Sequence, residues 1–367
     1  MKSLLSFIIG CLLASNTLAK PIVDIDVYGV DSKQAEEIKT RYGEQVRSIE
    51  FAMQSAIESS VNKAIASKTL HLDNIKPPHG YNQLKKKRQA LLNQIKREQN
   101  LLFVNAATIF YMPKNVSYTT IEVVSQAHPE LLRYTALEAH SRVTHSPADL
   151  IDKMTEFSQI SMMLYAENKL QEKDTDTRYC PVYHCAINFE HPALKPYLSL
   201  FNQGAIKDKT LILNTIKNDS NSERRGAAIF LLGHLNDPHE IISLLLPYVQ
   251  DHDPLVRNNS IRVIGETVRK AKIHDFDLKP FLALLHSPST LDRNKSLYVI
   301  YEAAQLPTAK KLIVQQSGDI LLQLLQLKQP NNHDVTYKIL KRLSGKKWGD
   351  QDFAAWKQWL ASVKTAA

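Results

Sequence analysis

Glu223-Arg224-Arg225-Gly226-Ala227-Ala228-Ile229-Phe230-Leu231-Leu232-Gly233 and Leu255-Val256-Arg257-Asn258-Asn259-Ser260-Ile261-Arg262-Val263-Ile264-Gly265 are two copies of one pattern, 32 residues apart. Arg225 aligns with Arg257, Ala228 with Ser260, Ile229 with Ile261 and Gly233 with Gly265. A third copy, offset by 36, carries Arg293, Ser296, Leu297, Val299 and Ile300. A fourth and degenerate copy, offset by 40, carries Thr336, Tyr337, Ile339 and Leu340. Between the copies lie further apolar stretches that read as second helices, 240–249, 278–285 and 320–327. A period of this length with two helices per unit predicts an α-solenoid. Each short helix pair has an apolar face that it cannot bury alone, so stacked neighbours bury it together.

The start signals agree with this spacing. Asp237-Pro238, Asp253-Pro254 and Ser287-Pro288 each put a capping side chain before a proline that suits the first helical turn. Asp253-Pro254-Leu255-Val256-Arg257, followed by Ile261 and Gly265, resembles the HEAT-repeat signature, and Arg225 to Gly233 resembles it more loosely. The resemblance covers 206–345. In that family the Asp and Arg positions brace neighbouring repeats, which implies structural roles for Asp253, Arg225, Arg257 and Arg293. Ala228 and Ser260 are small enough to let helices approach. At the end of the chain, Trp356 and Trp359 sit on one helical face and read as a hydrophobic cap on the last repeat, with an exposed aromatic anchor as the alternative.

The opposite end is built differently. Ile22-Val23-Asp24-Ile25-Asp26-Val27-Tyr28 alternates with period two and predicts a strand buried on its Val23/Ile25/Val27 face, with Asp24 and Asp26 on the other. Asp31 can cap the next helix with Gln34 as capping-box partner. Ala35, Ile38, Tyr42, Val46, Ile49, Met53, Ile57, Val61 and Ile65 then form a helical stripe, with Gly43 as a candidate break into two helices. A turn at 76–80 and a basic helix over 81–99 follow. Residues 103–111 and 116–124 read as a hairpin joined at Met112-Pro113-Lys114-Asn115. The order strand–helix–helix–strand–strand over 21–125, with "IVDIDVYGV" opening into a helix, resembles a POTRA-type domain of bacterial envelope proteins. The basic segment 76–99 is additional to that pattern. The resemblance implies binding of extended peptides by strand addition.

The expected fold is mostly α, a small N-terminal α+β (β-α-α-β-β) module followed by a HEAT-like α-solenoid. The expected division is a leader at 1–19, the α+β module at 20–125, a helical linker region with the Cys180/Cys185 loop at 126–205, and HEAT-like repeats with a C-terminal capping helix at 206–367. In the linker region, 129–143 reads as a helix, and Ser146-Pro147 as the start of a second one that runs to about 171.

Residues 1–19, MKSLLSFIIGCLLASNTLA, carry one charge, an apolar run of 11 from Leu4 to Ala14, and small residues at Thr17 and Ala19. This is the pattern of a secretory signal peptide. The run is short of the roughly 20 residues needed to span a bilayer. Ile8-Ile9-Gly10-Cys11 also resembles a lipobox, which leaves lipidation of Cys11 open. The address implied is export, most simply to a periplasm. Cleavage would leave two cysteines, Cys180 and Cys185, and in an oxidising compartment they are expected to form a disulfide. A zinc site from Cys180, His184, Cys185 and His191 is the alternative, but its spacing matches no standard finger.

The side chains carry a net charge of +9, which falls to +8 without Lys2. An exported chain has little occasion to meet nucleic acid, so acidic proteins or anionic lipid headgroups are the better match for its charge. The densest cluster is Lys85-Lys86-Lys87-Arg88, with Lys96 and Arg97 following. Glycine is sparse, 11 of 367, which argues against a Gly-rich nucleotide fold. No nucleophile elbow, zincin motif or phosphate loop occurs. No catalytic residue, metal ligand or cofactor is therefore expected. The function implied is a non-catalytic protein-binding scaffold or adaptor. The alternatives are an enzyme of the HEAT-like lyase type, and a peripheral membrane protein that uses Lys85 to Arg88 and Arg97.

Overall fold

The computed structural model describes residues 21–66, 78–111, 114–132, 146 and 148–365. The readings made above on 1–19, on the start of the 76–80 turn, on Met112-Pro113, on 133–143 and on Pro147 lie outside these residues.

Three strands form one sheet in the order β1-β3-β2. β1 (Ile22–Tyr28) runs parallel to β3 (Val116–Ser125), which pairs antiparallel with β2 (Leu101–Tyr111). Between β1 and β2 come α1 (Ser32–Ala66) and α2 (Tyr81–Glu98). α1 runs unbroken through Gly43, contrary to the candidate break. The glycine cost of about 1 kcal/mol is outweighed because Tyr42 and Val46, on either side of it, are buried in the core. The helix starts as expected, with the Gln34 N–H donating to Asp31 Oδ1 at 2.9 Å. The Gln34 side chain does not return to the cap. It reaches the carbonyl of Gln99 at the end of α2 instead. The basic helix α2 is therefore the second helix of the β-α-α-β-β order and not an addition to it.

The chain continues through α3 (Leu150–Ala166), α4 (Lys195–Lys207), α5 (Lys209–Asn218), α6 (Ser222–Leu232), α7 (Pro238–Leu245) and α8 (Pro254–Ala271). It ends with α9 (Lys279–Leu284), α10 (Thr290–Ala303), α11 (Pro307–Gln326), α12 (Pro330–Ser344) and α13 (Phe353–Thr365). α3 is capped by Asp149, whose side chain accepts from Ile151 and Asp152, and not by Ser146. α10 is capped by Ser289, one residue after Pro288. Beyond α3, a four-residue helix, Glu172–Thr175, and a single 3-10 turn, Thr177–Tyr179, lead to the Cys180/Cys185 loop.

The described chain forms two compact units. Of the described residues, one holds 64–66 and 146–276 and the other 21–63, 78–132 and 277–365. The boundary falls inside the repeat array.

In the second unit both faces of the sheet are covered. Ile25, Ala106, Ile121 and Val123 pack with Ile38, Tyr42 and Val46 of α1 and Leu91, Leu92 and Ile95 of α2. Each Ile, Leu or Val buried in this way is worth roughly 1.5–3 kcal/mol. The face carrying Asp26, Tyr28 and Glu122 is buried as well, with exposures of 7, 5 and 2%. The period-two reading put that face in solvent. Alternation shows which residues share a face, but not what covers it, and here the cover comes from helices more than 160 positions away in the chain.

Candidate functional site

The repeats place their polar side chains where first helices begin, since the first turn of a helix leaves backbone N–H groups without partners. In the unit 146–276, Arg225 of α6 is buried and reaches forward to the next repeat. Its Nη2 lies 2.5 Å from Asp251 Oδ2, and its Nε donates to the carbonyl of Ile216 at 2.7 Å. Asp251 also accepts the N–H of Asp253 at 2.8 Å. Asp253 caps α8 by accepting from Leu255 and Val256. Arg257 turns back onto its own repeat and donates to the carbonyls of Asp251 and His252. The acid that joins neighbouring repeats is thus Asp251, which the sequence analysis did not single out. The clue was present: Asp219 and Asp251 are separated by the same 32 residues as Arg225 and Arg257. Arg224, also unflagged, binds Asp149, Asp152 and Asp219, tying α3 to α6.

The second unit repeats this geometry with borrowed carboxylates. Asp26 on β1 accepts the N–H groups of Lys328 and Gln329 ahead of α12. Glu122 on β3 accepts the N–H of Thr290 at the start of α10, and its other oxygen accepts from Asn105 at 3.0 Å. Arg293 is fully buried and stacks 3.8 Å from the Tyr28 ring centroid. It donates to Ser287 O, Thr290 Oγ1 and Asn332 Oδ1. The Tyr28 hydroxyl donates to the carbonyl of Leu285 at 2.7 Å. Burial pushes Glu122 and Asp26 above the usual carboxylate range and Tyr28 up to about 12. All these groups are spent on helix ends, which is a structural use.

Cys180 and Cys185 are joined by a disulfide with Cα atoms 5.8 Å apart. Their sulfurs are bonded to each other and are not free thiolates for the zinc alternative. Among the described residues no group of three or more His, Cys, Asp or Glu side chains is placed to hold a metal ion. The disulfide loop is pinned at two points. The Tyr183 N–H donates to the carbonyl of Gly233 at 3.0 Å, and the Lys270 amine donates to the carbonyls of Cys180 and Val182. A side chain at Gly233 would press on His184, with 2.8 Å between the two Cβ positions. Burial lowers Lys270 to about 8.

The basic run divides in two. Arg88 is a structural residue: it pairs with Glu50 of α1 at 2.5 Å and donates to Asn105 Oδ1 and the Ala106 carbonyl of β2. Lys85, Lys86, Lys87, Lys96 and Arg97 are exposed. Trp356 is fully buried and Trp359 is 9% exposed. The Trp356 indole N–H donates to Gly349 O at 2.8 Å, and its ring meets Trp348 and Trp359 edge-on. The tryptophans form a cap on the last repeat and not an exposed anchor.

With this geometry in view, residues 210–300 match the family model for HEAT repeats. That stretch of the helical array is similar to HEAT repeats. The match spans α5 to most of α10 and includes the Arg225–Asp251 brace. No curated protein and no solved structure matches the chain. The fold is a small N-terminal α+β element followed by HEAT-like helical repeats.

Proposed function

We propose that this protein is an exported, non-catalytic scaffold or adaptor that binds a protein partner through its HEAT-like repeats. The observation that carries the reading is the HEAT match over 210–300. HEAT repeats are helical interaction scaffolds, and stacked helix pairs offer extended surfaces for a partner. The fate of the titratable side chains supports it. Arg224, Arg225, Asp251, Asp26, Glu122 and Arg293 are consumed by ion pairs and helix ends, leaving none of them poised for proton transfer or nucleophilic attack. Export rests on the leader-like segment 1–19 and on the paired cysteines, whose bond suits an oxidising compartment.

The test is photo-crosslinking in cells with the whole chain. A crosslinking residue is placed at the exposed positions Asn214, Ser243 and Lys279 of the array and, as a control, at Lys33 of α1. Truncation is the wrong tool, because removing the repeats would strip Asp26 and Glu122 of their partners. One protein captured reproducibly from the array positions and not from Lys33 supports the reading. Capture of no protein from any array position would overturn it.

A further inference from the structure

We propose that α2 is a docking face for an anionic bilayer surface, made by Lys85, Lys86, Lys96 and Arg97. At about 100° per residue, these four fall within an arc of about 120°. Asn82, Gln89 and Asn93 lie in the same arc and are exposed. The opposite side carries Leu91, Leu92 and Ile95 and is buried in the core, so the basic face is fixed outward. Lys85 and Lys96 stand about 16 Å apart along the axis at a rise of 1.5 Å per residue.

The pairing pattern sets this run apart from an ordinary charged helix face. Among the described residues, none of the four is held by a carboxylate. Glu98 is the one acid of the helix; its oxygens are engaged by Arg41, the Tyr42 hydroxyl and Gln94, and the neighbouring Arg97 acts on it through charge alone, with no ion-pair contact. Arg88, by contrast, is already used inside the fold. The cations are spread in two pairs along the helix and do not converge on a point. A single phosphate would want convergence, whereas a plane of headgroup charges matches the spread. The face carries no aromatic residue to stack on a base and no apolar residue to insert between acyl chains. Its chemistry is that of electrostatic, peripheral attachment.

The experiment is sedimentation with vesicles, using residues 20–367 so that the apolar segment 1–19 cannot itself insert. Vesicles are phosphatidylcholine alone or phosphatidylcholine with phosphatidylglycerol, at about 0.1 M and about 1 M salt. The expected result is binding to the phosphatidylglycerol vesicles only, lost at high salt. Each cation removed should weaken partitioning about fivefold. K85Q/K86Q/K96Q/R97Q should therefore lose several hundredfold in all, with an unchanged melting temperature. A second variant, K33Q/K195Q/K207Q/K217Q, removes four exposed lysines from other helices and should bind as the parent does. The proposal is overturned by failure to bind the anionic vesicles, by equal binding to phosphatidylcholine alone, or by equal weakening in both variants. Salt-sensitive binding to duplex DNA or an acidic peptide without binding to vesicles would overturn it too.

Discussion

The Asp26 carboxylate accepts the Gln329 N–H at 2.8 Å, across 303 positions of sequence, and so does for one repeat what Asp251 does within its own. Gln329 stands where Asp253 stands, one residue before the proline that opens a first helix. The position of Asp251 is taken by Leu327, which has no acceptor to offer. The sheet supplies the missing oxygen. One repeat earlier Ser287 stands in the place of the acid and its Oγ accepts the Ser289 N–H at 3.1 Å, while Glu122 of β3 meets the next N–H, that of Thr290. The α+β element is thus wired into the end of the repeat array, and these bonds join it to the helices from 277 onward within one compact unit.

Replacing Asp26 with alanine should leave the Lys328 and Gln329 N–H groups buried without an acceptor. The cost expected is about 1–3 kcal/mol per orphaned group, read as a fall in the denaturation midpoint. Asp26→Asn keeps one acceptor and should cost less. Because burial raises the Asp26 pKa, the native state holds this proton to higher pH than the unfolded chain does. Stability linked to it is full below the unfolded value and is lost as pH rises through the native one. Asp26→Asn should flatten that decline. Equal melting of parent and Asp26→Ala at every pH would show that the bonds carry no weight.

Arg225 and Asp251 form a buried pair at 2.5 Å with side-chain exposures of 2 and 3%. Removal of one partner leaves a buried charge unpaired and should cost roughly 3–5 kcal/mol. Arg225→Met together with Asp251→Leu should cost less than the sum of the single changes, since neither charge is then stranded. Chemical denaturation of the four proteins in a double-mutant cycle measures the coupling. An interaction energy near zero would mean that this pair does not brace the repeats.

How much of this was legible follows from which signals are local. The repeat register was readable because Arg225, Ala228, Ile229 and Gly233 recur at a fixed offset, and the strands because alternation is local. The cover over the Asp26 face of β1 was not readable: Asp24 and Asp26 look alike in sequence. Yet Asp24 is a third exposed and pairs with Lys39, whereas Asp26 is buried against α12. Gly43 misled because propensity is a local preference that tertiary burial overrides. Asp251 was missed because the sequence Asp251-His252-Asp253 satisfies a turn as well as a brace, and only the distance to Arg225 separates the two uses. Arg88 was grouped with Lys85 to Lys87 by adjacency, although a helix turns each of the four in a different direction.

The Cys180–Cys185 bond closes a loop of six residues, for which chain entropy gives about 2 kcal/mol. Cys180→Ser with Cys185→Ser should lower stability by about that amount. Lys270→Met removes two donations to the carbonyls of the same loop. Because both changes act on one loop, their combined cost should fall short of their sum. Thermal melts of the three variants against the parent settle it, and strict additivity would separate the lysine from the loop.

His234 tests the pH dependence of the first unit. Its Nδ1–H donates to Asn202 Oδ1 at 2.8 Å, and its ring packs against Phe201 and Phe189 with centroids 5.4 and 5.7 Å away. Burial lowers its pKa to about 3. The native state therefore keeps the ring neutral while the unfolded chain protonates it near its ordinary value of about 6.5. The stability this contributes is present above the unfolded pKa and is lost as pH falls toward the native one, at up to about 1.4 kcal/mol per pH unit. His234→Phe keeps the aromatic volume and removes the titration. The stability difference between parent and His234→Phe should therefore shrink or reverse as pH drops from about 7 to about 4.5, a window chosen to stay above most carboxylates. Asn202 is only partly buried, so water can replace the lost donor at its Oδ1, and the variant should fold at neutral pH. A difference that stays constant across the window would mean that His234 is free to protonate inside the fold.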